Sequence, residues 1–126
     1  MNDLINRTKK FSLSIIEVVE QLPNSIAGRA IANQLIRSGT SVGANYRAVC
    51  RARSDKEFIS KMNIVLEESD EVCFWLELIK DKNWLSIEII DMNLKEGNEL
   101  TAIFVSSLKT MNAKIKDRKN KVEGRN

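Results

Sequence analysis

Apolar side chains in this chain recur at alternating steps of three and four residues, and four such runs follow one another. This spacing keeps one face of an α-helix against its neighbours in a left-handed bundle; a strand cannot satisfy it, because strand faces repeat every two residues. The first run is Leu4, Thr8, Phe11, Ile15, Val18 and Leu22. It stops at Leu22-Pro23-Asn24, where proline disfavours helical geometry in the residue before it. The second, Ile31, Leu35, Ser38, Val42, Asn45, Val49 and Ala52, opens after Ser25, whose short hydroxyl side chain suits an N-cap. Ser54-Asp55-Lys56-Glu57 reads as a capping box that restarts the chain. The third run follows as Phe58, Met62, Val65, Ser69, Val72, Leu76 and Ile79. After a loop around Asp81-Lys82-Asn83 and a cap at Ser86 comes the last, Ile90, Leu94, Gly97, Thr101, Phe104, Leu108, Met111 and Ile115.

Short loops make consecutive helices antiparallel. One proline, five glycines and 6% aromatic residues leave too few turn and strand residues for a sandwich or barrel. The expected fold class is all-α, an up-down-up-down antiparallel four-helix bundle. It occupies residues 1–116 as a single domain, with helices at about 3–21, 26–53, 55–80 and 87–116, as suits a chain of 126 residues. From Lys114 onward charge density rises and apolar residues nearly vanish, so 117–126 reads as a basic, disordered tail.

The sequence contains no histidine. That removes the commonest general base, the commonest zinc ligand and the Glu-x-x-His pairs of helical di-iron sites. No Ser/His, Cys/His or phosphate-loop constellation is present. Glu67 and Glu71 could share a cation, but no third ligand converges with them. The sequence therefore reads as no enzyme, with no metal site and no cofactor. No apolar run reaches the roughly 18 residues a membrane span needs, and no membrane association is expected. Arg7, Lys9 and Lys10 precede a short apolar stretch, but Glu17 and Glu20 interrupt it before a secretory core could form. A cytoplasmic location follows as the expectation, with Cys50 and Cys73 reduced.

If the second and third helices turn back at Arg53 and Ser54, residues whose numbers sum to about 107 share a level. Cys50 and Cys73 are then roughly 22 Å apart, beyond disulfide reach, and read as small buried hydrophobes. Ser38 and Ser69 fall level with each other and are expected to pair, or to bond the i−4 carbonyls of their own helices. Asn45 reads either as a hydrogen bond that fixes register in the core or as part of a ligand or subunit contact.

Net charge is only +3, but it is unevenly spread. Residues 1–53 carry 8 basic and 3 acidic side chains, whereas residues 54–82 carry 4 and 8. From Gln21 through Ser54 there is no acid at all. On a helix, Arg29, Arg37, Arg47 and Arg51 fall within about 80° of one another, with Asn33 and Thr40 between them. The third helix offers Glu67, Glu68, Asp70 and Glu71, and the level rule brings Glu68 and Glu71 close to Thr40 and Arg37. Two readings follow. In one, Arg37 pairs with Glu68 or Glu71, within the chain or across a subunit boundary, and the other arginines are solvated. In the other, Arg29, Arg37, Arg47, Arg51 and Arg53 track phosphates of RNA or DNA, extended by the basic tail, because guanidinium groups suit phosphate geometry.

The third helix also has apolar residues to spare. Ile64, Trp75 and Leu78 lie within about 60° of one another, off the seam. The second helix has a flank of small residues, Ala32, Gly39, Gly43 and Cys50, beside Ile36. These sets read either as a wide internal core or, since large exposed apolar patches are uncommon on monomers, as a homo-oligomer interface formed by Ile36, Gly39, Gly43, Ile64, Trp75 and Leu78.

The segment Gln34-Leu35-Ile36-Arg37-Ser38-Gly39-Thr40-Ser41-Val42-Gly43-Ala44-Asn45-Tyr46 resembles the signature of the bacterial four-helix-bundle family known as the 23S rRNA intervening-sequence proteins. Leu22-Pro23, Phe58 and the acidic run Glu67-Glu68-Ser69-Asp70-Glu71 are similar too, so the likeness extends from about Phe11 to Ile115. It implies an up-down bundle that assembles as a homopentamer. Relatives include the accessory protein of diversity-generating retroelements, which associates with nucleic acid and a reverse transcriptase. Many members carry a glutamate three residues after the signature asparagine; here that position is Ala48, between Arg47 and Arg51, so no role of that acid carries over. Two functions are expected: an oligomeric bundle binding nucleic acid or a nucleoprotein partner through the arginines, or a protein-interaction scaffold whose arginines serve only the assembly.

Overall fold

A computed structural model describes residues 3–124, and it is a four-helix bundle with no strand among them. The helices are α1 (Asp3–Glu20), α2 (Ile26–Cys50), α3 (Asp55–Asp81) and α4 (Ile87–Val122). Each boundary has a local cause. α1 ends ahead of Leu22-Pro23, as the proline requires. The Ser25 hydroxyl accepts the backbone N–H of Gly28 at 3.0 Å, and the Ser54 hydroxyl accepts that of Glu57 at 3.0 Å, so α2 and α3 both start on serine caps. α3 stops where Asn83 takes φ 56°, a left-handed conformation that asparagine tolerates. Its N–H then reaches the Lys80 carbonyl while that of Trp84 reaches Ile79, which satisfies the last carbonyls of the helix.

Neighbours in sequence are neighbours in space and run antiparallel. α1 also lies beside α4, closing the bundle, although that seam is the most thinly packed of the four. The level rule is met between α2 and α3, where Arg37 reaches Glu68 and Glu71. The four seams converge on one core, with Phe11, Ile15, Leu35, Val42, Met62, Leu76, Ile90, Leu100 and Phe104 all buried. Tyr46 of α2 stacks on Phe104 of the diagonally opposite α4, their ring centroids 6.0 Å apart.

α2 and α4 depart from expectation. α2 ends at Cys50, with Arg51 as its C-cap, and not near 53; Arg51, Ala52 and Arg53 form the turn into α3. α4 runs to Val122, through most of the stretch read as a disordered tail. Three features hold it helical. Arg118 makes a 2.6 Å salt bridge to Asp55, Lys121 lies one turn from Asp117 at 3.4 Å, and Lys119 and Lys121 in the last turn oppose the negative end of the helix dipole. Loss of apolar periodicity marks where α4 passes beyond its neighbours, not where it ends. Arg125 and Asn126, the rest of the expected tail, lie outside the described residues.

The buried polar groups are also distributed differently. Ser38 donates to the Gln34 carbonyl of its own helix at 3.0 Å, the second of the two arrangements expected. Ser69 pairs with Thr101 of α4 at 2.7 Å, not with Ser38. Thr101 donates its own proton to the Gly97 carbonyl, so Ser69 is the donor between them. Asn45 is half-buried and its amide donates to Ser41 one turn back, so it ties no second helix and does not set register. Asn93, absent from the sequence expectations, does. It is buried, accepts a hydrogen bond from Ser14 of α1 at 2.7 Å and donates to the Ile89 carbonyl. Cys73 is buried but Cys50 is exposed, contrary to the reading of both as core residues.

Candidate nucleic-acid and assembly surfaces

The five arginines of the expected stripe divide into three environments. Arg37, midway along α2, lies between Glu68 at 3.1 Å and Glu71, both on α3. Its side chain is about half exposed, so the pair adds at most about 1 kcal/mol to stability; its larger consequence is that two carboxylates occupy the guanidinium. Arg29 sits near the opposite end of α2 from Arg53, roughly 32 Å along the axis from Cys50, and donates to the Asn24 side chain at 2.9 Å. Arg47 and Arg51 are exposed and make no side-chain hydrogen bond or ion pair among the described residues. Arg53 is 89% exposed and only loosely approached by Glu57, at 3.9 Å. The structure thus leaves Arg47 and Arg51 without a side-chain ion pair among the described residues, puts Arg53 in the α2–α3 turn, and gives Arg29 and Arg37 partners of their own.

The level rule accounts for the division. Arg37 faces the acidic run of α3, whereas residues level with Arg47 and Arg51 fall near Ser60 and Lys56. Asp55, at the start of α3 beside that end of α2, is held by Arg118. The final turns of α4 bring Lys114, Lys116, Lys119 and Lys121 to the same end of the bundle, all of them exposed. A cavity of about 570 Å³ also opens there, lined by Ile5, Val49, Phe58 and Met111 with Arg53 and Ser54.

The expected oligomer interface is only partly retained. Gly39 is buried against α1: a side chain there would meet the Ile15 Cγ2 at 2.5 Å. Gly43 likewise faces α1, where a Cβ would lie 3.0 Å from the Ser12 hydroxyl and 3.3 Å from the Thr8 carbonyl. The small-residue flank of α2 therefore admits a helix of its own chain, not of a partner. Ile36 remains exposed, as does Ile64 at 43%, with Trp75 and Leu78 half-buried on the same side of α3 but roughly 16 and 21 Å further along its axis. Phe74 belongs with them and was missed: it is 52% exposed and meets Trp75 edge-on, centroids 5.1 Å apart. Its position outside the seam, next to Trp75, was the available signal. The Trp75 indole N–H is enclosed without a partner, a costly arrangement for a buried donor.

A second unforeseen cluster crosses the α1–α4 seam. Arg7 makes two bonds to Glu96, at 2.7 and 2.8 Å, and reaches Glu99 at 3.4 Å. Its hydrogen bonds to Glu96 raise the guanidinium above its already high ordinary value, so it is permanently charged. Among the described residues no group of three or more His, Cys, Asp or Glu side chains could hold a metal. Among the described residues, no helix is long and apolar enough to cross a membrane.

Fold and surface define a class: a four-helix bundle with a basic end, where Arg47 and Arg51 make no side-chain ion pair among the described residues, and an apolar outer face on α3. The chain belongs to the 23S rRNA-intervening sequence protein family, whose pattern matches residues 2–106. It is similar to a solved protein of unknown function from the S23 ribosomal protein family of Bacteroides thetaiotaomicron VPI-5482. The two share 30% identity over 83% of this chain and 97% of that one, with a TM-score of 0.77. No curated protein matches the chain.

Proposed function

We propose that this chain is a non-enzymatic, oligomeric bundle that contacts nucleic acid, or a nucleoprotein, through the α2–α3 turn. One observation carries the reading: Arg47 and Arg51 are exposed without a carboxylate, while Arg37 on the same helix has two. A fixed cation that the protein leaves unneutralised is available to a phosphate, and each such contact releases counterions. Arg53 and the exposed lysines of α4 extend the surface. The words 23S rRNA in the family description and ribosomal in that of the Bacteroides protein put RNA first among the polymers to test.

Assembly is the second half of the proposal. The outer face of α3, with Ile64, Phe74, Trp75 and Leu78, suits a second copy of the chain, and the family resemblance carries the expectation of five copies. Arg37 with its two glutamates supports a scaffold role for that arginine, as does Arg7 at the α1–α4 seam. The test is light scattering on the pure protein, then binding to generic RNA and DNA across a salt series. An oligomer whose affinity falls steeply with salt is the expected result. A monomer that ignores both polymers at low salt would sink the proposal.

A further inference from the structure

Between α1 and α2 lies a crevice of about 220 Å³ lined by Lys9, Ser12, Thr40, Gly43, Ala44 and Arg47. No acid lines it. Lys9 and Arg47 are both exposed, and neither makes a side-chain hydrogen bond or ion pair among the described residues. The crevice on the other flank of α1 is different in kind: there Lys10 and Lys95 share about 390 Å³ with Glu96 and Glu99, so the cations have carboxylates beside them. From this contrast we infer that the Lys9–Arg47 crevice is a seat for a single phosphodiester of a nucleic-acid backbone. The inference rests on the nucleic-acid reading above and assigns it a contact on α1, outside the arginine stripe.

The backbones that carry the two cations are held against each other. The Ser12 hydroxyl donates to the Gly39 carbonyl at 2.7 Å, which ties α1 to α2 about one turn from Lys9 and two turns from Arg47. Gly43 lets the helices come close between them, since any side chain there would crowd Ser12 and Thr8. The Thr40 hydroxyl is spent on the Ile36 carbonyl at 2.7 Å, so attraction for an anion comes from the ammonium and guanidinium groups. The crevice is open to solvent and wide enough to admit a phosphate group. Arginine and lysine together suit it, one as a planar fork and the other as a mobile point charge.

The experiment measures binding of a short oligouridylate to the full chain between about 50 and 200 mM salt. The proteins compared are wild type, Lys9→Gln, Lys10→Gln, Arg47→Gln and the Lys9→Gln/Arg47→Gln double variant. Lys10 is the internal control, because its loss changes net charge equally on the opposite flank of the same helix. Lys9→Gln and Arg47→Gln should each weaken binding about tenfold at low salt and lower the salt slope by about one. Lys10→Gln should stay within about threefold, and the double variant should lose less than the product of the singles because both groups serve one phosphate. Equal losses from Lys9→Gln and Lys10→Gln overturn the seat, as does a fully multiplicative double variant. Lys9→Gln that changes the oligomer mass but not the affinity gives the crevice to another copy of the chain and overturns it too. Inorganic phosphate that displaces the polymer better than chloride at equal ionic strength reassigns the seat to a free anion. If Arg51→Gln weakens binding and Lys9→Gln does not, only the seat fails; if the wild type binds nothing at low salt, the underlying reading fails with it.

Discussion

Arg37 and Arg47 lie on one face of one helix, ten residues and about 15 Å apart, in opposite electrostatic circumstances. Midway along the α2–α3 seam, Arg37 is held by Glu68 and Glu71, with exposed Ile64 and half-buried Trp75 on the same helix as those acids. At the turn, Arg47 and Arg51 have no carboxylate. Matched charge beside apolar surface suits contact with protein, where an interface excludes water and unpaired charge is costly. Unmatched charge suits a polyanion. The α2–α3 pair thus divides into a region built for assembly and one built for phosphate, and that division can be tested from both sides.

The largest expected effect is on assembly. Ile64→Glu with Phe74→Glu places two carboxylates in the α3 face, and burying unpaired charge costs several kcal/mol per ion. Light scattering should then find the 14.3 kDa chain instead of an oligomer. Both positions are exposed in the single chain, so its melting should change little. An oligomer that survives the double substitution assigns assembly to another face.

Next comes the turn. Arg47→Glu with Arg51→Glu should lower affinity for generic RNA by about a hundredfold or more at low salt and leave the oligomer mass unchanged. Loss of both binding and assembly would show that the two regions are one interface. The reverse substitution is subtler. Glu68→Gln with Glu71→Gln frees Arg37, so RNA affinity should rise about threefold to tenfold, while the half-exposed pair yields no more than about 1 kcal/mol of stability. Unchanged RNA affinity would mean that Arg37 faces a surface no polymer reaches.

The bundle was legible in the sequence because its cause is periodic: each seam residue reports one face of one helix, and Pro23, Ser25 and Ser54 mark ends by local chemistry. The Arg37 pairing was legible for the same reason, since antiparallel register converts residue numbers into levels. Three features were not. Gly39 and Gly43 show only that some helix comes close, and whether it is α1 or a partner depends on the angle of packing. Asn93 sits between Ile90 and Leu94 of the fourth seam, one residue off its step, and its burial depends on how α1 packs over it, where Ser14 donates to it. Residues 117–122 lack apolar periodicity because nothing packs there, and their helix rests on the Arg118–Asp55 bridge, a contact between residues 63 positions apart.

The smallest effect concerns the two thiols and separates interior from surface at the level of one atom. Burial pushes the Cys73 thiol up to about 11, with Asp70 and Glu77 adding repulsion for a thiolate. Cys50 is exposed near the turn. A maleimide at neutral pH should therefore label Cys50 and leave Cys73 unmodified until the chain unfolds, because the thiolate is the reactive species. The linkage has a definite sign. The folded chain keeps the Cys73 proton to higher pH than the unfolded chain does, so this group's contribution is intact below about pH 9 and is lost as pH climbs from about 9 toward 11. Cys73→Ala should be less stable at pH 7, through the small cavity it leaves, yet lose less of its remaining stability on going to pH 11 than the wild type. Parallel alkaline losses in the two proteins would place the Cys73 thiol in contact with water.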